Sequence, residues 1–277
     1  MNKLIALIFT SLLVQATQVT FAQKGWIKLF NGKDLKDWNI KIAKHDYNEN
    51  YGNTFYVEDS MLKVKYDAYT TFDQQYGHIY YKKPFSHYLI RVEYRFVGEQ
   101  AKGGEDWAIR NGGVMLHCQD PKTILKNQDF PISVEGQLLG GNGKDERPTG
   151  NVCTPGTTIE IKSKLVKSHC TNSTSKTFHG NQWVRAEFLV LGDSLIKHII
   201  NGDTVLSYTH PKIGGGNVTN YDPQQKIDGT ALKKGYISLQ SESHPIEFRL
   251  VELYNLEPYA NKSAKLNQVL DKLRKEK

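Results

Sequence analysis

The chain has 277 residues, 39% of them hydrophobic and 23% charged, and a formal net charge of +7. Much of that charge is local, because Lys3 contributes +1 and residues 262–277 contribute +4. The remaining body carries +2 and has no basic stripe interleaved with aromatic residues. The composition therefore gives no support to nucleic-acid binding.

Residues 1–22 have the layout of a secretory signal peptide. Lys3 gives a positive start, Leu4 to Val14 is apolar, and cleavage is expected near Ala22 or Gln23. The apolar run is shorter than the roughly 20 residues of a membrane span, and no later segment is apolar enough to cross a bilayer. We expect an exported protein, periplasmic or extracellular, without a transmembrane segment.

Residues 24–257 show short strand-like runs rich in aromatic and β-branched residues, separated by Gly, Asn and Asp. The runs are Thr54–Val57, Met61–Tyr66, His78–Tyr81, Tyr88–Val97, Gly113–Cys118, Ile132–Leu139, Thr158–Lys162, Trp183–Leu191, Leu195–Ile200, Thr204–Tyr208, Tyr236–Ser241 and Ile246–Leu256. This spacing predicts a single all-β sandwich domain. Because Gly192-Asp193-Ser194 and Asn201-Gly202-Asp203 are turn sequences, 183–208 is predicted to be a three-stranded meander.

Residues 260–277 differ in kind. Leu266, Val269, Leu270 and Leu273 recur at helical spacing with lysines between them. This pattern predicts a short basic amphipathic helix after Pro258, either packed on the sandwich or forming a basic tail.

The chain has three cysteines. Cys153 and Cys170 flank one loop-rich region, and in an exported protein we expect them to form a disulfide. Cys118, in a predicted strand, is then a free and buried thiol. No CxxC spacing supports a cysteine-based metal site.

Glu135 lies in the apolar run FPISVEGQLLGG at 130–141. A buried glutamate needs a partner, a metal or a substrate. Side chains of a strand alternate between its two faces, so Glu135 and Gln137 share one face. The same alternation places Met115 with His117, and Gln240 with Glu242. If these strands are neighbours, one polar face collects His117, Glu135, Gln137, Gln240, Glu242 and His244.

Several enzyme classes lack their motifs here. Sandwich glycanases of the retaining type carry two or three acids at alternate positions of one strand, whereas Gln137 and Leu139 follow Glu135. A second acid is therefore missing from that strand. The chain also lacks GxSxG, HExxH, a Walker loop, and GxGxxG between a strand and a helix.

An ordered set of short motifs resembles the 3-keto-disaccharide hydrolase domain family, whose members are 3-keto-glucoside 1,2-lyases and 3-keto-2-hydroxy-glucal hydratases. The motifs are Leu29-Phe30-Asn31-Gly32-Lys33-Asp34-Leu35 with Trp38, Val57-Glu58-Asp59, Arg91-Val92-Glu93-Tyr94-Arg95, Asn111-Gly112-Gly113-Val114, Glu135-Gly136-Gln137-Leu138-Leu139, Thr149-Gly150, Trp183, Ile237-Ser238-Leu239-Gln240 and Phe248-Arg249. The chain departs from the family at His117, where an Arg is common, and at Ser243-His244, where His-Gly is common.

The resemblance implies a concanavalin-A-like jelly-roll sandwich and an exported enzyme that cleaves 3-keto-glycosides. In such a reaction a base removes the C2 proton, the enolate expels the C1 substituent, and water can add to the 2-hydroxy-glucal product. Glu135 or His117 is then the expected base, and Glu242 or His244 the acid or a second ligand. The expected substrate-binding residues are Gln137, Gln240, Arg147 and His169.

Two alternatives stay open. His117, Glu135 and a third oxygen or nitrogen ligand would make an open site for a divalent metal ion. A non-catalytic, lectin-like domain would use the same fold, with exposed aromatic residues stacking on sugar rings.

Overall fold

The computed structural model describes residues 25–275, so the predicted signal peptide at 1–22 lies outside the described residues. The strands are β1 Trp26–Lys28, β2 Trp38–Ile42, β3 Phe55–Glu58, β4 Met61–Val64, β5 Gly77–Tyr81, β6 His87–Phe96, β7 Asn111–Cys118, β8 Val134–Leu139, β9 Asn151–Cys153, β10 Thr157–Ile161, β11 Lys164–Leu165, β12 Cys170–Thr171, β13 Val184–Leu191, β14 Leu195–Ile200, β15 Asp203–Ile213, β16 Tyr236–Ser241 and β17 Ile246–Asn255. The helix α1 spans Ser263–Lys275.

Within residues 25–275 the strands form two antiparallel sheets. The larger has ten strands in the order β11-β10-β15-β14-β13-β6-β17-β4-β3, with β1 also paired to β17. The smaller has seven, in the order β12-β9-β8-β7-β16-β5-β2. The predicted jelly-roll β-sandwich with a short C-terminal helix is confirmed, and β13, β14 and β15 form the predicted meander.

The core lies between the two sheets. Alternate residues of the smaller sheet, such as Val114 and Leu239, are fully buried against Val92 and Phe188 of the larger sheet. Burying side chains of this size stabilises the fold by about 1.5–3 kcal/mol each. At Gly136 in β8, a Cβ would overlap the Phe188 ring of the larger sheet. Only glycine fits at that position.

The outer face of the larger sheet carries paired charges and the C-terminal helix. Arg91 in β6 forms ion pairs with Glu187 at 2.7 Å and with Glu252 at 3.1 Å. The helix packs through buried Leu273, in an apolar cluster that includes Leu89. The predicted amphipathic segment is thus a helix packed on the sandwich. No helix among residues 25–275 is long and apolar enough to cross a membrane.

Candidate functional site

The polar face lies on the smaller sheet, on the side away from the core. The strands β8, β7 and β16 are neighbours, as the alternation argument required. Glu135 is 6% exposed, Gln240 0% and Glu242 3%. Across the strands, Glu135 pairs with Met115 and Gln240 with His78. These carboxyl and amide groups are therefore almost completely removed from water.

A missing side chain on β7 makes room for Glu135. A Cβ on Gly113 would lie 2.7 Å from both Cγ and Oε1 of Glu135. Since Glu135 is in register with Met115, its side chain leans along β7 towards Gly113. This direction brings the carboxyl group towards the end of β16, which Glu242 follows.

Glu135 and Glu242 form an acid pair. Burial raises the pKa of Glu135 above its ordinary value. Burial also raises the pKa of Glu242, and the charge of Glu135 raises it further. Both shifts favour the neutral acid, because a buried charge is costly and two like charges at one site are worse. At neutral pH the pair therefore retains at least one proton.

The hydrogen bonding of the acid pair is incomplete. Gln240 Nε2 donates to Glu242 Oε1 at 2.9 Å. Among the described residues, Glu135 Oε1, Glu242 Oε2 and Gln240 Oε1 have no hydrogen-bond partner. Buried polar atoms normally have partners, so these three unpartnered oxygens on one face of the sheet point to a bound ligand.

Two buried histidines are neutral: His244, two residues after Glu242, has its ring centroid 5.8 Å from that of Phe96, and His78 is the register partner of Gln240. Burial, and then the charges of Arg110 and Arg147, lower the pKa of His244 to about 4. Burial, and then the charge of Lys41, lower the pKa of His78 to about 3. Neither ring nitrogen of His244 has a partner within the described part of the chain. His244 can thus donate one hydrogen bond to a substrate and accept another.

Aromatic rings form one wall of the site. Phe130 stacks on Tyr76 with ring centroids 4.6 Å apart and meets His78 edge-on at 6.2 Å. Tyr76 also stacks with Trp107 at 6.0 Å. Burial, and then the charges of Glu105 and Glu242, raise the pKa of Tyr76.

The expectation that His117 shares a face with Met115 and Glu135 is wrong. Between Met115 and Cys118, β7 has one residue more than the opposed segment of β16, and His117 has a φ of 47°. This β-bulge reverses the alternation. The His117 ring turns away from the polar face, and its Nε2 lies 3.0 Å from the Gly192 carbonyl oxygen. His117 therefore does not lie with Glu135 on the polar face. The expected roles of His117 as the base, or as a metal ligand together with Glu135, do not fit this position.

Three predicted substrate-binding residues have other contacts. Gln137 Oε1 accepts from Asn151 Nδ2 at 2.9 Å, at the side of the face away from β16. Arg147 Nη1 donates to the Gly140 carbonyl at 2.8 Å and also to that of Ile109, so its guanidinium holds two loops together. His169 lies at the sheet edge, where its carbonyl accepts from the Thr154 amide at 3.0 Å.

Cys153 and Cys170 form a disulfide across β9 and β12, and Cys118 is a buried free thiol. Cys153 is also the register partner of Glu135, so the disulfide lies next to the polar face. In residues 25–275, one set of three possible metal ligands lies within 4.8 Å, namely Cys153, His169 and Cys170. Its sulfurs are bonded to each other and offer no thiolate to a metal ion.

Sequence reasoning missed several residues of the site. His78 did carry a signal, because alternation along Tyr76, His78 and Tyr80 places a polar group on one face of a buried strand. Trp107 carried none, since it lies in a three-residue turn of 3₁₀ helix outside any strand. Its position depends on loops that only the tertiary structure brings together.

The chain was compared with known proteins. No curated protein sequence matches it. One similar solved structure is a Parabacteroides distasonis protein provisionally assigned as a glycosyl hydrolase, with 18% identity, coverage of 84% of this chain and 100% of the other, and a TM-score of 0.48. A galectin-like protein of unknown function from Bacillus subtilis has 12% identity, coverage of 84% and 97%, and a TM-score of 0.49. For a Bacillus licheniformis β-glucanase the values are 12%, 84% and 99%, and 0.46.

A family model provides the assignment. The model of the 3-keto-α-glucoside-1,2-lyase-like domain matches residues 25–254, nearly all of the sandwich. The resemblance of the ordered motifs is thereby confirmed. The chain belongs to the 3-keto-α-glucoside-1,2-lyase-like domain family and is a carbohydrate-active β-sandwich.

Proposed function

We propose that this protein is an exported enzyme that cleaves 3-keto-glycosides by β-elimination, with or without hydration of the product. The observation that carries the proposal is the buried Glu135–Glu242 pair, which retains a proton and leaves carboxyl oxygens unpartnered. Family membership supports the substrate class. Export is proposed from the layout of residues 1–22.

The two carboxyl groups have different roles in this mechanism. The charge of one carboxylate raises the pKa of the other, so only one of the two ionises readily. We assign Glu135 as the group that ionises and Glu242 as the group that keeps its proton. Ionised Glu135 accepts the C2 proton of the substrate, which the neighbouring C3 ketone makes acidic. The C2 electron pair forms a C2–C1 double bond, the C1–O bond breaks, and Glu242 protonates the leaving oxygen. Such proton transfers contribute about 10²–10⁴ in rate.

Neutral groups next to the pair can support the enolate. His244 is a neutral imidazole with unpartnered nitrogens, and it can donate a hydrogen bond to the developing C3 oxygen. A fixed donor in a site without water stabilises such an anion strongly. Gln240 holds Glu242 by its 2.9 Å bond and so fixes the direction of the acid.

The structure also changes one argument from the sequence. A second acid is missing from the Glu135 strand, but Glu242 can supply one from the end of β16, which is separated from β8 by β7. Two carboxyl groups could also hydrolyse a glycoside directly. The choice of substrate distinguishes direct hydrolysis from elimination. Elimination needs the C3 ketone, whereas direct hydrolysis also cleaves the unoxidised glycoside.

The test compares a 3-keto-glucoside with the same unoxidised glucoside. We expect the wild type to consume only the 3-keto compound, followed by the loss of its base-labile ultraviolet signal. Glu135→Gln and Glu242→Gln should each lower kcat/KM by about 10²–10⁴. Glu49→Gln, a change of the same type on the surface, should leave it unaltered. Equal cleavage of both glucosides would refute the elimination mechanism.

The second candidate function is a non-catalytic, lectin-like domain, which the half-exposed Trp107 beside the site favours. A lectin would bind the 3-keto-glucoside without consuming it. It would bind equally well after Glu135→Gln, measured by isothermal titration calorimetry. Turnover by the wild type and its loss in the variant decide for the enzyme.

A further inference from the structure

Trp107 is a large apolar side chain that the fold leaves open to water. Its residue is 50% exposed, whereas its stacking neighbour Tyr76 is 5% exposed. Single exposed apolar residues are common on protein surfaces. Trp107 differs from them because its ring continues the aromatic wall of the candidate site.

That wall runs from solvent to the acid pair. Trp107 stacks with Tyr76 at an interplanar angle of 29°, and Tyr76 stacks with Phe130 at 30°. Phe130 then meets His78, the register partner of Gln240. Trp107 is therefore the exposed end of a line of rings that reaches the strand beside Gln240.

The backbone below Trp107 is held in place. Its carbonyl oxygen accepts from Arg147 Nη2 at 3.3 Å, and the same guanidinium bonds to the carbonyls of Ile109 and Gly140. On the preceding side, Gln100 Nε2 donates to the Glu105 carbonyl at 2.8 Å. The indole thus stands on a supported turn, and a supported platform loses little freedom when a ligand binds.

We propose that Trp107 is the platform on which the leaving group of the glycoside stacks, and that it selects an aromatic aglycone. This proposal rests on the proposed function, because it gives a binding position to the aglycone of the same 3-keto-glycoside. Gln100 Nε2 and Arg147 Nη1 and Nη2, which support the turn, already donate to backbone carbonyls. A planar ring needs only the exposed indole face.

Binding tests the platform without turnover. In the Glu135→Gln background we would measure the Kd of phenyl and methyl 3-keto-glucosides by calorimetry. Adding Trp107→Ala should weaken phenyl binding about tenfold, equivalent to about 1.4 kcal/mol, and change methyl binding less than twofold. Trp107→Phe should restore most of the phenyl affinity. Equal weakening of both ligands, or of neither, would overturn the proposal.

Two further measurements sharpen the outcome. A 3-keto-disaccharide that loses as much affinity as the phenyl glycoside on Trp107→Ala would overturn the choice of an aromatic ring. Tyr47→Ala is the matched control and should alter neither ligand. Tyr47 is 36% exposed, and its pKa is raised by burial and, to a smaller extent, by the charge of Asp120, which follows β7 at the end away from Trp107.

The two hypotheses fail in different ways. If the wild type consumes neither glycoside, the proposed function is wrong, while the phenyl preference in binding still tests the platform. If the wild type consumes both, but Trp107→Ala lowers kcat/KM for both by the same factor, the elimination stands and the aglycone platform is refuted.

Discussion

Replacing Glu242 by Gln should make the free energy of unfolding of this protein less sensitive to a rise in pH from 5 to 7. Glutamine has nearly the shape of a protonated glutamic acid, and its Oε1 can accept the same bond from Gln240 Nε2. The variant therefore keeps the packing and one of the contacts. What it removes is a carboxyl group that the folded state holds neutral and the unfolded state ionises.

The size and sign of the effect follow from the direction of the pKa shift. The pKa of Glu242 is raised well above its ordinary value of 4.5 by burial and by Glu135. A raised folded pKa contributes stability that is fully present below about pH 4.5 and is lost as pH rises towards the folded pKa. One proton changes the free energy of unfolding by about 1.4 kcal/mol per pH unit. From pH 5 upward, the wild type should therefore lose stability relative to Glu242→Gln, by about 1.4 kcal/mol for each pH unit over which folded Glu242 stays protonated.

The assay is urea unfolding followed by tryptophan fluorescence at pH 5, 6 and 7, at constant ionic strength and with the disulfide intact. Only the difference between the two proteins is interpreted, because buried neutral histidines such as His198 affect both alike. Glu49→Gln is the control. Hydrogen bonds from Asp46 and His45 lower the pKa of Glu49, so its removal should not reproduce the effect. A difference that stays constant from pH 5 to 7 would show that Glu242 is ionised in the folded protein.

Two glycines of neighbouring strands should respond differently to alanine. In Gly113→Ala the new Cβ would lie 2.7 Å from the Glu135 side chain. The carboxyl group must then move, so kcat/KM should fall by about 10². The unfolding midpoint should stay near that of the wild type. In Gly136→Ala the Cβ meets the Phe188 ring in the core, so the free energy of unfolding should fall by about 1–3 kcal/mol; equal stability of the two variants would contradict the assignment of the faces. Replacing Cys153 and Cys170 by serine removes a disulfide between residues 17 positions apart. The free energy of unfolding, measured by urea denaturation under oxidising conditions, should fall by about 3 kcal/mol. An unchanged midpoint would refute this expectation.

Local patterns identified most of the polar face before the structure did. The alternation of Gln240 with Leu239, and of Glu135 with Val134, is a property of any extended strand. Burial then selects the apolar set for the core, so the polar set must lie on the opposite face. The same reasoning applied to β5 would have added His78.

The error at His117 shows where this reasoning stops. One extra residue in β7 and a positive φ reverse the face of every side chain that follows. A histidine in that conformation leaves no mark in the hydrophobic pattern, and the need for the bulge arises from the pairing with β16. Glu242, by contrast, was predicted on the same face as Glu135 and as the expected acid, because the alternation along residues 236–242 carries that information.

By itself, the sequence determined the all-β class, the meander at 183–208, the C-terminal helix, the family and the polar side of three strands. These depend on periodicity, turn residues and motifs, which act over a few neighbouring residues. Only the tertiary structure decided that burial and mutual charge raise the pKa values of Glu135 and Glu242, that His117 leaves the site, and that Trp107 stacks on Tyr76. Each of these depends on strand order, a bulge or a loop contact between residues far apart in the chain, and such contacts have no local signature.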